Sequence, residues 1–149
     1  MKFVSTLILF IFLSSNSYSL DVQQFNTFKC KYKKGFTTTY IKDGSIVTEE
    51  TSEVLEMTFV SINLEEQTGR KLGKNLDSKI TPIKNGDTIL IHELHSDGSS
   101  IKTTIYNRTI DDKSFASVHS RHNNGEGNAK RVGPLPSQYF GFCKGLRSN

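Results

Sequence analysis

FNTFKCKYKKGFTTTYIKDG, residues 25–44, is the stretch whose reading decides the fold. Phe28, Cys30 and Tyr32 alternate with Lys29, Lys31 and Lys33. Side chains of a β-strand point to opposite faces at every step, so this pattern makes a ribbon with one apolar and one cationic face. The first run extends to Gly35, and a second, GFTTTYIK, ends at Asp43-Gly44. Lysines facing outward on a terminal strand also discourage edge-to-edge pairing.

The same unit recurs along the chain as a short run rich in Thr, Ile, Val, Phe or Tyr, closed by a turn signal. EVLEMTFVSI ends in NLEEQTG, KITPIK at Asn85-Gly86, and TILIHEL at Ser96-Asp97-Gly98. SIKTTIYN ends near Asp111-Asp112, SFASVHSR at Asn123-Asn124-Gly125, and SQYFGFC closes the series. Asp-Gly and Asn-Gly pairs suit type I′ hairpins, in which both central residues take positive φ. Ile101, Thr103 and Ile105 oppose Lys102, Thr104 and Tyr106. Residues 49–57 alone offer a helical stripe, and their strand-like neighbours outvote it. About eight or nine short strands with tight turns predict an all-β, antiparallel up-and-down barrel or strongly curved sandwich.

The first nineteen residues read as an export signal: Lys2, an apolar run from Phe3 to Leu13, then small residues at Ser17 and Ser19. The run is too short to span a bilayer, which takes about 20 apolar residues. The expected domain is therefore residues 20–149, exported to a periplasmic or extracellular space, with no integral membrane segment after signal removal. Its two cysteines, Cys30 and Cys143, are expected to form one disulfide in an oxidising compartment. That bond makes the first and last runs neighbours. Without Lys2, eighteen cations face fifteen anions, too small an excess to indicate a polyanion partner, and no nucleic acid is expected. An outer-membrane barrel is disfavoured because Lys29, Lys31, Lys33, Glu53 and Glu56 interrupt the faces that would meet lipid. Asn107-Arg108-Thr109 is a formal glycosylation sequon.

As a strand pattern over most of residues 20–149, the chain resembles the small up-and-down barrels of the lipocalin and avidin type. Those families usually place a tryptophan in or beside the first strand, and this chain has none. GPLPSQYFGFC, with VHSRH before it, is similar to small exported bacterial proteins of unassigned function. That similarity implies no activity.

Four histidines are the only conspicuous chemistry. On a strand, His119 lies with Phe115, Ser117 and Arg121, and His122 points the other way. Likewise His92 lies with Leu90 and Leu94, and His95 with Ile91 and Glu93. HELH is not a zincin motif, which needs histidines four apart on a helix with Glu beside the first. A cross-strand metal or nuclease site would require one histidine of 89–95 to meet one of 115–122 across paired strands. No metal, cofactor or catalytic residue is assigned. The leading expectation is non-catalytic binding of a small ligand in a barrel mouth or interior. Its candidate contacts are His92, His119, Arg121, Tyr106 and Tyr139, with Met57 and Phe59 as further lining. Arg121 is placed to receive an anionic head group. The alternatives are a secreted hydrolase or nuclease using a histidine pair, and a structural or protein-interaction module.

Overall fold

The computed structural model describes residues 20–73, 78–111, 113–123 and 135–147. The expected signal segment, residues 1–19, and the Asn124-Gly125 turn lie outside them. Among the described residues nine strands form one antiparallel sheet: β1 (Thr27–Tyr40), β2 (Ile46–Thr51), β3 (Leu55–Asn63), β4 (Thr68–Leu72), β5 (Ser78–Asn85), β6 (Thr88–Leu94), β7 (Ser100–Asp111), β8 (Ser114–Asn123) and β9 (Leu135–Leu146). Strands β3 to β9 follow one another in space, and β9 pairs back onto β1 from Thr27 to Thr37, which closes an eight-stranded barrel. The ninth strand, β2, pairs with the second half of β1, whereas β3 pairs with the first half. The β1–β2 hairpin therefore rises beyond the wall. No helix among the described residues is long and apolar enough to cross a membrane.

The alternation in residues 28–33 holds: Phe28, Cys30 and Tyr32 are buried, with cations outside. The two runs on either side of Gly35 are one strand, however, and Gly35 makes no turn. Tyr32 pairs with Gly141 and Lys34 with Phe140, so Lys33 is an extra residue, a β-bulge. Two outward residues follow each other, and the inward face resumes at Gly35. A Cβ there would lie 2.4 Å from Tyr139 Cδ1, so the glycine makes room for the Tyr139 ring. Opposite the bulge, a Cβ on Gly141 would stand 2.1 Å from the Lys31 carbonyl oxygen and 2.7 Å from Tyr32 Cα. Backbone cannot step aside as a ring does. Gly141→Ala is therefore expected to destabilise more than Gly35→Ala, with overpacking costs of about 1–3 kcal/mol; urea unfolding of the two variants checks the order.

The interior is layered. At one end Phe25, Phe28 and Phe115 meet edge to face, with centroids 5.6–6.5 Å apart. A 3-10 turn at Val22–Gln24, absent from the sequence reading, covers that end. It is held by the Val22 N–H donating to Asn107 Oδ1 at 3.0 Å, so the sequon asparagine serves as its tether. Tyr32, Phe59, Ile80, Ile89, Ile91 and Ile105 fill the middle. Cys30 and Cys143 are register partners on β1 and β9 and form the expected disulfide, buried inside the barrel.

The turns depart from the type I′ expectation. Asp43 and Asp97 do not take positive φ; only Gly44 and Gly98 do. In both hairpins the glycine N–H bonds back three residues, and the Asp carboxylate accepts the N–H two residues on. These are three-residue loops ending in a left-handed glycine. Between β5 and β6 the central residues are Gly86 and Asp87, with positive φ only at Gly86, the type II′ arrangement. In these three turns glycine takes the left-handed position, whereas Gln67 takes it between β3 and β4 and Lys113 between β7 and β8.

Candidate functional site

Toward the hairpin end the barrel interior turns polar. Inward residues of β8 are Ser117, His119 and Arg121, flanked in register by Ile105, Thr103 and Ile101 of β7 and by Gly141, Tyr139 and Ser137 of β9. Burial forces these polar groups to satisfy one another, and they do so as a chain with one direction. Arg121 can only donate, and its Nε–H reaches His119 Nε2 at 3.3 Å. Burial, then the nearby charges of Arg121 and Lys71, push the His119 pKa down to about 3, so the ring is neutral at pH 7. A neutral ring accepting at Nε2 carries its proton on Nδ1, which donates to Thr103 Oγ1 at 2.8 Å. Thr103 and Ser117 are side-chain partners of the Tyr32 hydroxyl. Tyr32 lies 2.9 Å from Ser117 Oγ, and Ser117 donates to the Thr104 carbonyl at 2.8 Å. Ser117 is thereby an acceptor toward Tyr32, whose phenol burial holds well above its ordinary pKa and so protonated. The relay runs from the Arg121 cation to a backbone carbonyl, and it fixes the guanidinium at the rim.

Around that rim Arg121 lies over the Tyr139 ring, 5.1 Å from its centroid. The Tyr139 hydroxyl donates to Glu53 Oε2 at 3.1 Å, tying the β2–β3 connection to the mouth. Across the opening Lys71 of β4 pairs with the buried Glu93 of β6. Glu93 Oε1 has no hydrogen-bond partner among the described residues. A cavity of about 450 Å³ opens here, lined by Met57, Lys71, Leu72, Ile101, His119 and Arg121, with Glu56 and Asn123 at its edge. Below it lie the fully buried side chains of Tyr32, Phe59, Ile89, Ile91 and Ile105.

Of the sequence candidates, the structure brings His119, Arg121 and Tyr139 together and leaves two outside. His92 is on the outer face of β6, whose inward residues are Ile89, Ile91 and Glu93. Tyr106 is on the outer face of β7, opposite Ile101, Thr103 and Ile105. Met57 lines the mouth, and Phe59 lies deeper, fully buried. The condition for a histidine pair is not met, because β7 stands between β6 and β8. His95 and His122 are exposed. No group of three His, Cys, Asp or Glu that would hold a metal ion occurs among the described residues. Nothing in the sequence points to Lys71, because TGRKL is too short and polar to stand out as a strand. Thr103 and Ser117 were on the correct face, but nothing in their spacing shows the relay.

The closed barrel is compatible in pattern with lipocalin-like barrels. Compared with known families, with curated proteins and with solved structures, the chain matches none.

Proposed function

We propose that this chain is an exported, non-catalytic binding protein that holds a small anionic ligand in the mouth of its barrel. The observation that carries the reading is the Arg121 guanidinium, fixed by neutral His119 and the Tyr139 ring at the edge of a cavity that also has apolar walls. A cation held in place beforehand costs little to order when an anion arrives. Among the described residues Arg121 has no carboxylate within ion-pairing distance, whereas Lys71 is engaged by Glu93. Met57, Leu72 and Ile101 would take the apolar body of the ligand. The buried aromatic and isoleucine side chains beneath the mouth favour a compact body. The disulfide suits an oxidising compartment.

Native mass spectrometry of protein taken from its own compartment tests this directly. A heavier species that loses mass on acidification is expected, and a bare chain would count against a tightly held ligand. Affinity for a defined anionic probe, anilinonaphthalene sulfonate, is expected to fall about ten- to hundredfold in Arg121→Gln, as for the loss of a charge-assisted hydrogen bond. Equal affinity in the variant would place the anion elsewhere.

A further inference from the structure

Outside the barrel, the bulge at Lys33 creates a surface that simple alternation rules out. Up to Tyr32 the aromatics of β1 go inward. Beyond the bulge Phe36 and Tyr40 go outward, and β9 presents Phe140 beside them. Phe36 and Phe140 meet edge to face at 6.3 Å, and Tyr40 is the register partner of Ile46. Phe36 is 44% exposed, Tyr40 39%, Ile46 61% and Phe140 42%. They form a stripe about 14 Å long between Phe36 and Tyr40, from the barrel wall to the end of the β1–β2 hairpin.

The other end of this face is cationic. Lys29 and Lys144 are direct register partners, a like-charge juxtaposition that destabilises a sheet. With Lys31, Lys33 and Lys34, five lysines of β1 and β9 face two glutamates: Glu56, paired with Lys31, and Glu50, 4.0 Å from Lys34. We propose that the outer face of the β1–β2 hairpin and β9 docks on an anionic lipid surface, with Phe36, Tyr40, Ile46 and Phe140 entering the interface and the lysines meeting headgroups. Apolar side chains beside a basic field are what such an interface takes. A polyanion such as single-stranded nucleic acid fits less well. Its bases stack on ring faces, whereas Ile46 has no ring and Phe36 and Phe140 are engaged with each other. The ligand-binding mouth opens at the hairpin end, but docking does not depend on it.

The test is co-sedimentation of the oxidised full chain with phosphatidylcholine vesicles, with and without phosphatidylglycerol. Partition onto the anionic vesicles alone is expected, weakened by salt. Each of Lys29→Gln and Lys144→Gln is expected to reduce it about fivefold, and Phe36→Ser with Phe140→Ser at least about tenfold. The chain has no tryptophan, so Phe36→Trp adds a single reporter. Its emission is expected to shift to the blue with anionic vesicles. Equal partition onto neutral vesicles, no partition at all, or unshifted emission from a sedimenting Phe36→Trp chain would each overturn the proposal. So would capture of a single-stranded oligonucleotide by a chain that ignores the vesicles. Near-ultraviolet circular dichroism confirms that the exposed variants remain folded.

Discussion

Reduction of Cys30–Cys143 is expected to remove about 4–5 kcal/mol of stability, by the chain-entropy estimate for a closed loop of about 100 residues. The two cysteines are 113 positions apart, so the bond encloses nearly all of the strand-forming chain. It also sits where the fold is topologically weakest. Neighbouring strands β3 to β9 are joined by connections of eleven residues or fewer, but the β1–β9 seam joins the two ends of the series. Without the cross-link, an unfolded chain must bring those ends together at full entropic cost. Both sulfurs are buried, so a reductant reaches them only through opening of the seam. Reduction in native buffer is therefore expected to be slow and to accelerate with urea. The check is the urea midpoint of oxidised and fully reduced protein, with reduction established by a gain of two hydrogens in mass. A Cys30→Ala/Cys143→Ala chain should behave like the reduced one, with a further loss from packing. An unchanged midpoint after complete reduction would show that the β1–β9 ladder closes the barrel unaided.

What the sequence discloses and what it conceals divide along physical lines. Period-two alternation is local, and it correctly places Phe28, Cys30 and Tyr32 inside, and His119 with Arg121 on one face. The disulfide then makes first and last strands neighbours, which turns a meander into a closed barrel. The bulge at Lys33 is a different matter. It exists because Gly35 and Gly141 let the Tyr139 ring and the Lys31–Tyr32 backbone come close, contacts between residues over a hundred positions apart. No local pattern announces them, and glycine in an apolar context reads first as a turn. Strands β2 and β4, IVTEET and TGRKL, are too polar and short to stand out. Alternation groups His92 with Leu90 and Leu94, and in a nearly continuous apolar run either face serves as core. The structure chooses the face of Ile89, Ile91 and Glu93, where Lys71 meets the carboxylate. Half of the candidate mouth was thus legible from strand faces, and the other half depended on which strands pair.

Between pH 6.5 and pH 3 the folded chain is expected to lose on the order of 4 kcal/mol through His119 alone. The folded ring has a pKa of about 3 against an ordinary 6.5. Across that window an unfolded chain binds a proton at His119 that the folded chain refuses. Acidification therefore favours unfolding, the contribution being intact above pH 6.5 and falling by about 1.4 kcal/mol per pH unit below it. Refusal has two physical causes, the first being burial. The second is the pair of cations, Arg121 and Lys71, which face the ring inside the mouth. His119→Phe removes the titrating group. Its stability at pH 7 is expected to fall because Arg121 Nε and Thr103 lose their partner. Its urea midpoint is nevertheless expected to stay flat from pH 6.5 to 4.5, where the parent's declines steeply. The exposed carboxylates with lowered pKa, Asp43, Glu56 and Asp97, are common to both chains, so their own acid dependence cancels in the difference between parent and variant. A parent midpoint that is level down to pH 4.5, or an imidazole resonance of His119 titrating near 6.5, would show that the ring protonates freely. Arg121 would then sit beside an imidazolium at mildly acidic pH, and the relay that fixes the guanidinium would not hold there. A neutral His119 means instead that the mouth keeps its Arg121 donor in place throughout that pH range.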